Sequence, residues 1–211
     1  MDLVPCNPEE LAVQLAEANA KRQSINLRGN GTKNGMAGPI AHSDIAISTC
    51  RLNRVLQYEP RDLTISVEAG LPWHEFSSLL AQQGQMVPLD PPFADNATVG
   101  GVIAANMSGP RRRLYGSARD MVIGMTFATL EGKLIRTGGM VVKNVAGLDM
   151  AKLMIGSFGT LAAIAVVNFK LHPCPIGTRT FVQEFVRAAE TIAASLCHDD
   201  QKSLSATGAT P

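Results

Sequence analysis

Ala97-Thr98-Val99-Gly100-Gly101-Val102-Ile103-Ala104-Ala105-Asn106-Met107-Ser108-Gly109-Pro110 is the stretch on which the reading of this chain turns. Its side chains are small, so another backbone or a flat, bulky ligand can come close to the main chain. The adjacent Gly100 and Gly101 offer neighbouring amides to an anion, and Thr98, Asn106 and Ser108 add short hydrogen-bonding side chains. Tight helix packing accounts for the same composition equally well. A second stretch is needed to decide between the two.

Far upstream, Arg28-Gly29-Asn30-Gly31-Thr32-Lys33-Asn34-Gly35 follows a short strand expected over 24–27. Its glycines let amides converge at φ values other residues avoid, forming a nest for an anion, with Arg28 and Lys33 as flanking positive charges. It is not a P-loop, since no Gly-Lys-Ser/Thr follows at the required offset. Nor is it a dinucleotide fingerprint, since Asn34 stands where the third glycine belongs and no helix evidently begins there. A surface turn remains the plain alternative. A third stretch, Gly138-Gly139-Met140-Val141-Val142-Lys143-Asn144-Val145-Ala146-Gly147-Leu148-Asp149, precedes Gly156-Ser157-Phe158-Gly159-Thr160-Leu161. Together these two segments set many amides beside a long apolar strand, where a flat heterocycle could lie. Two glycine-lined anion sites so far apart point to one diphosphate held from two subdomains.

The rest of the chain supplies the frame. Asn7-Pro8-Glu9-Glu10 reads as a helix start, with a capping side chain, proline at the first turn and acids near the positive dipole end. Leu11, Leu15 and Ala18 share one face of that helix. Strands are expected over 45–48 and, with one buried face, over 63–68, where Leu63, Ile65 and Val67 alternate with polar neighbours. Pro72 opens a second helix carrying Trp73, Phe76, Leu79 and Leu80 inward, and Gly84 ends it. Helix, strand, glycine loop, two strands and helix make a small α/β layer. Beyond it, strands over 121–130 and 133–137 form a hairpin about Glu131-Gly132. A short helix over 149–154, a turn over 156–159 and a strand over 160–171 follow. The expected architecture is α+β: a small α/β subdomain and a larger, mostly antiparallel sheet with helices, with a cleft between them. After Pro175 a strand-then-helix pattern (Phe181, Phe185, Val186, then 188–196) runs into a polar tail.

Composition excludes whole classes. The 211 residues carry 19 basic and 18 acidic side chains, a formal net charge of +1, which speaks against a general nucleic-acid binder. Charged residues are 18% of the chain, below the usual figure of about 25%, so the backbone and small residues must carry much of the polar work. Cys6, Cys50, Cys174 and Cys197 are too dispersed for a metal cage and fit free thiols in a reducing cytoplasm. The start of the chain lacks a secretion signal, and the uncharged 153–169 segment, broken by Gly156, Gly159 and Asn168, reads as buried strand rather than a membrane span. His42, His74, His172 and His198 form no catalytic or metal-like group. Arg111-Arg112-Arg113 is assigned to local ion pairing or a partner subunit, the methionines to core filling, and Asp120 and Asp149 to capping.

The glycine stretches sit in a longer pattern that is similar to the FAD-binding domain of the p-cresol methylhydroxylase (PCMH) and vanillyl-alcohol oxidase superfamily. Within it the sequence resembles the branch of FAD-binding E subunits of bacterial glycolate oxidases. Seven pieces carry the resemblance in the family's order. They are 28–33; Tyr58-Glu59-Pro60-Arg61-Asp62-Leu63-Thr64 with Val67-Glu68-Ala69-Gly70; Asp90-Pro91-Pro92; and Thr98-Val99-Gly100-Gly101. The others are Gly109-Pro110-Arg111-Arg112 with Tyr115-Gly116, Val141-Val142-Lys143-Asn144-Val145-Ala146-Gly147, and 156–161. The similarity covers residues 8–175.

The resemblance implies a PCMH-type FAD-binding domain over 1–175, with 176–211 the start of a truncated cap domain and a polar tail. Arg28, Gly29, Asn30, Gly31, Thr32 and Lys33, with Thr98, Gly100, Gly101, Asn106 and Ser108, would cradle the FAD diphosphate. Tyr115, Gly116, Asn144 and Gly147 would lie along the flavin and its ribityl chain, and Gly159, Thr160 and Ile164 would line the far side. Some relatives attach flavin to a histidine of the first loop; Thr32-Lys33 stands here, which implies noncovalent FAD. Leu148 replaces the tyrosine usual before Asp149, so no aromatic hydroxyl is assigned there. The implied reaction is hydride transfer from a small 2-hydroxy acid, glycolate above all, to FAD. It would take place in a glycolate oxidase complex with a sister flavoprotein subunit and an iron–sulfur subunit, in the cytoplasm or held at the inner membrane through that complex. No catalytic base is assigned. A non-catalytic scaffold for a catalytic sister subunit is the alternative, and an enolpyruvyl reductase of cell-wall synthesis shares the fold.

Overall fold

A computed structural model describes residues 2–36, 38, 42–140 and 148–179. The chain divides into two compact units, Met1–Cys174 and Pro175–Pro211, and all the elements below belong to the first. The expected strand and helix beyond Phe181 lie outside the described residues. In chain order the first half comprises β1 (Asp2–Leu3), α1 (Pro8–Ala20), β2 (Ile25–Arg28), β3 (Ile45–Ser48), β4 (Val55–Glu59), β5 (Thr64–Glu68), α2 (Trp73–Ala81) and β6 (Gln85–Met86). The second comprises α3 (Val99–Ala104), α4 (Arg112–Tyr115), α5 (Ala118–Met121), β7 (Val122–Ala128), β8 (Leu134–Gly138), α6 (Met150–Met154), β9 (Ala163–Lys170) and β10 (His172–Pro173).

The strands form a parallel sheet in the order β1-β3-β2, an antiparallel sheet in the order β4-β5-β9-β7-β8, and a two-stranded pair of β6 with β10. α1 begins where the cap was expected: Asn7 Oδ1 accepts the Glu10 N–H at 2.7 Å, and Glu10 reaches back to the Cys6 N–H. Its Leu11, Leu15 and Ala18 share a core with Ile45 and Ile47 of β3 and with Ala128, Ala163, Ala165 and Val166 of the antiparallel sheet. Residues of the same sheet pointing the other way, among them Ile65, Val67, Phe127 and Phe169, join α2 and α3 in a second core. The large sheet is therefore covered on both faces, with small residues toward α1 and large ones toward α2 and α3.

That double burial corrects two expectations. β5 is buried along its whole length rather than on one face, because it runs between β4 and β9 and its polar side is covered as well. Period-2 alternation reports which face is apolar, not whether the polar face meets water. Of the polar side chains there, fully buried Glu68 takes the Arg54 guanidinium on Oε1 (2.7 and 3.1 Å) and the Arg54 N–H on Oε2 (2.8 Å). The second correction follows from the first. β5 belongs to the antiparallel sheet, beside the unexpected β4, and the small layer keeps α1, β2, β3 and the unexpected two-residue β1. The β7–β8 hairpin, the α6 cap on Asp149 and the capping role of Asp120 stand as expected, and Asp120 forms its cap as a capping box with Ser117.

Gly70, where β5 leaves the sheet, has no room for a side chain. A Cβ there would overlap the Thr49 carbonyl oxygen and lie 2.8 Å from the Leu52 carbonyl oxygen, both rigid backbone. Gly84 is exposed with open space around it, at φ +65°. Gly70→Ala is expected to cost about 3 kcal/mol through overpacking, and Gly84→Ala about 1 kcal/mol through its left-handed backbone alone. Urea midpoints at constant m-value measure both.

Candidate functional site

β2 ends at Arg28, at the carboxyl edge of the parallel sheet, where α/β proteins commonly hold ligands. The Thr49 N–H extends the ladder by one bond, to the Arg28 carbonyl at 2.9 Å, and the chain then leaves as the glycine loop. Gly29 passes so close to Thr98 that a Cβ would overlap Thr98 Oγ1. Gly31, at φ +70°, turns the loop, and the Asn34 N–H returns to the Gly31 carbonyl at 3.2 Å. None of the N–H groups of Gly29, Asn30, Gly31, Thr32 or Lys33 has a hydrogen-bond acceptor among the described residues. These residues are half-buried or exposed, so water serves the amides before a ligand binds, and five successive donors without an internal acceptor leave room for one from outside the chain. The Asn30 side chain is occupied: its Nδ2 donates to the Asn96 carbonyl at 3.0 Å, and its Oδ1 accepts from Cys50 Sγ at 2.9 Å.

The opposite wall is α3, capped by Thr98. Its amides are spent inside the protein. The Val99 N–H donates to Leu71 O at 2.9 Å, Gly100 to Ala69 O at 2.6 Å, and Gly101 to Thr98 Oγ1 at 3.2 Å. The expectation that Gly100 and Gly101 present amides to an anion is thus corrected. Gly100 is glycine because a Cβ would stand 2.7 Å from the Cβ of Ala69; around Gly101 only Thr98 Oγ1 lies within 4 Å. The first glycine brings helix and strand end together, and the second keeps the wall low. A third wall comes from 158–160, where the Phe158 N–H bonds Ala104 O at 2.9 Å and Gly159, at φ +76°, packs on Leu27.

These walls enclose one hollow of about 410 Å³, within the range of small-molecule sites. Of the residues singled out in the sequence, Arg28, Gly29, Asn30, Gly31, Thr32, Lys33, Thr98, Gly100, Gly101, Gly159, Thr160 and Ile164 all line it. Asn106, Ser108, Tyr115 and Gly116 do not. Ser108 is buried and its hydroxyl accepts the Ala118 N–H at 3.2 Å. Asn106 is exposed past the end of α3, Gly116 ends α4 at φ +93°, and Tyr115 stacks edge-on against His172. Asn144 and Gly147 lie outside the described residues. The lining also includes Asn34, His42, Ser43, Thr49, Ala104, Ala105 and Phe158. Of these Asn34, the two alanines and Phe158 stood in segments the sequence marked; Thr49 arrives through the β2–β3 register, which no local pattern announces.

The charge of the hollow is simple. No aspartate or glutamate is among its described lining residues. Arg28 gives its guanidinium to Asp2 at 2.8 Å, so it is not the free cation the loop was expected to hold. Lys33 is: it has no carboxylate partner among the described residues, and burial pushes its pKa below the ordinary lysine value. An anion entering here meets five free amides and one partly desolvated ammonium.

A sequence-family model of an FAD binding domain matches residues 2–138. The chain belongs to this FAD-binding domain family. It is 34% identical over 168 residues to glycolate oxidase subunit GlcE of Escherichia coli (strain K12), covering 79% of this chain and 47% of that protein. It is 30% identical over 194 residues to glycolate oxidase subunit GlcD of Bacillus subtilis (strain 168), covering 90% and 41%. Among solved structures it is similar to an alkyldihydroxyacetonephosphate synthase, with a TM-score of 0.71 and 26% identity over 83% of this chain and 32% of that one. The chain thus spans less than half the length of these relatives. The cofactor of the domain is FAD, and the hollow fits its diphosphate: the lining offers amides without an internal acceptor and a lysine, and no carboxylate among its described residues.

Two outcomes test the fit. Gly101→Trp is expected to reduce the flavin-to-protein ratio to near zero while the far-UV circular dichroism stays native, since the new side chain has only the hollow to fill. FAD affinity is expected to hold through neutral pH and fall as pH rises through the lowered pKa of Lys33, because the neutral amine no longer pairs with an anion. Lys33→Met is expected to flatten that profile and weaken binding about tenfold, the usual worth of a charged hydrogen bond. Flavin fluorescence titration across pH reads both.

Proposed function

We propose that this chain is the FAD-carrying part of a 2-hydroxy-acid oxidoreductase, with glycolate the foremost substrate, acting within a multi-subunit glycolate-oxidising complex. The observation that carries the reading is the joining of two distant glycine stretches around one carboxylate-free hollow, in a chain similar along most of its length to two glycolate oxidase subunits. Bound FAD supplies a two-electron acceptor for the hydride of a CH–OH group.

The chain's own residues bind and orient. The 29–33 amides and Lys33 neutralise the diphosphate, Gly101 with Ala104 and Ala105 lets the dinucleotide lie close to α3, and Gly159, Thr160 and Ile164 shield its other side from water. Tyr115 and Gly116, set away from the hollow, and Asn144 and Gly147 belong in this reading to the ribityl and flavin end. Asn106 and Ser108 act there through local structure, Ser108 by fixing the start of α5. FAD is held noncovalently: Thr32 and Lys33 offer a hydroxyl and an ammonium where some relatives offer an imidazole. Residues 176–211 begin a cap domain. The partners are a sister flavoprotein subunit and an iron–sulfur subunit, and the complex works in the cytoplasm or against the inner membrane. No helix among the described residues is long and apolar enough to cross a membrane.

Purified chain is expected to show the visible bands of flavin, released in full by acid precipitation. Together with its partner subunits it is expected to lose those bands on anaerobic addition of glycolate. Flavin that stays oxidised under glycolate, in a complex whose other subunits are active, would make this chain a scaffold instead.

A further inference from the structure

The glycine loop makes few backbone bonds to the rest of the protein, yet five of its amides have no acceptor within it. What holds it in shape is the side chain of Asn30. The carboxamide has no orientational freedom left: Oδ1 takes the thiol of Cys50, just after β3, while Nδ2 donates to the carbonyl of Asn96, just before α3. These two anchors are themselves joined through the core. Leu52 N–H bonds Thr49 O at 2.9 Å, Gly70 N–H bonds Leu52 O at 2.7 Å, and Gly100 N–H bonds Ala69 O at 2.6 Å. Four segments (28–30, 49–52, 69–70 and 96–100) therefore form a closed ring of hydrogen bonds, and Asn30 is the only link in it that belongs to the loop beyond β2.

We propose that Asn30, Cys50 and Asn96 form a positioning latch: the Asn30 side chain faces the protein, not the ligand, and sets the distance between the free amides of 29–33 and the α3 wall. Cys50 serves as a hydrogen-bond donor, and its thiol chemistry is incidental. The inference rests on the diphosphate reading of the hollow and adds residues to it that no glycine pattern marks. Cys50 and Asn96 are absent from the hollow's lining, so they act on a ligand there only indirectly.

The test uses the full chain with Cys50→Ala, Cys50→Ser, Asn30→Ala and the double variant Asn30→Ala/Cys50→Ala, titrated with FAD. Loss of one neutral hydrogen bond is expected to weaken FAD binding three- to tenfold in Cys50→Ala. Cys50→Ser, which keeps a donor, is expected to recover most of that loss. The double variant is expected to be no worse than Asn30→Ala, because the two residues act as one unit. The bound diphosphate's 31P resonances are expected to shift in Cys50→Ala but return in Cys50→Ser, a readout that general loss of stability would not move. In the apo protein, iodoacetamide is expected to alkylate Cys50 more slowly than exposed Cys6, and Asn30→Ala is expected to abolish the difference. Equal FAD affinity across all four variants, or strictly additive losses, would overturn the latch. Failure of the unmodified chain to bind FAD would instead count against the diphosphate reading, and the apo alkylation comparison then judges the latch alone.

Discussion

The crossing of two backbones at Gly100 and Ala69 governs the rest of the site. Their contact leaves no space for a side chain at residue 100, and the Gly100 amide is spent on the Ala69 carbonyl at 2.6 Å. The end of β5 and the start of α3 are thereby welded into one wall, reinforced on either side by the Leu71–Val99 and Ala97–Trp73 bonds. A helix whose first amides are consumed this way cannot also serve an anion. The donors must come from elsewhere, and the glycine loop is where they remain free. One short contact in the core thus decides which of two glycine-rich segments binds charge and which only makes room.

The same division explains what could be read from the sequence and what could not. Signals that act over a few residues were legible. Asn7 with Pro8 and Glu10 starts α1, Glu131-Gly132 turns the β7–β8 hairpin, and Asp149 caps α6. The meeting of 28–33 with 98–101 was legible too, because both stretches spend residues on glycine where an isolated domain has no need of it. Illegible were the facts that depend on a third segment arriving from a distance. The polar face of β5 is buried because the strand lies inside the sheet, between β4 and β9, and Arg54 comes over Glu68, a matter of topology. Gly100 and Gly101 look alike in sequence; only the approach of Ala69 makes the first a packing residue. Arg28 was read as a cation for the loop, but the two-residue strand β1 brings Asp2 to it.

The low charge of the chain acquires a meaning from this arrangement. A lining whose described residues include one ion-paired arginine, one half-buried lysine and no carboxylate suits an anion without a large charge of its own. Backbone dipoles do the remaining work, and they cannot be titrated or screened in the way surface charges are. Burial that lowers the pKa of Lys33 is unfavourable in the empty protein and is relieved when an anion arrives, so part of the protein's free energy is tied to its ligand.

Free amides bring a problem of their own: a loop that carries five donors without internal acceptors has few bonds of its own to keep its shape. Glycine at 29 and 31 permits the required backbone but does nothing to keep it. Only a rigid tether can, and a side chain on the loop itself is the shortest available. Asn30 suits that task because its carboxamide is both donor and acceptor, so it can bind one anchor on each flank and be fixed in rotation by the pair. An aspartate would place negative charge beside the incoming phosphates, and a serine could not reach both anchors. The requirement that the loop stay open to a ligand and closed to rearrangement is met by one neutral, two-handed side chain between two glycines.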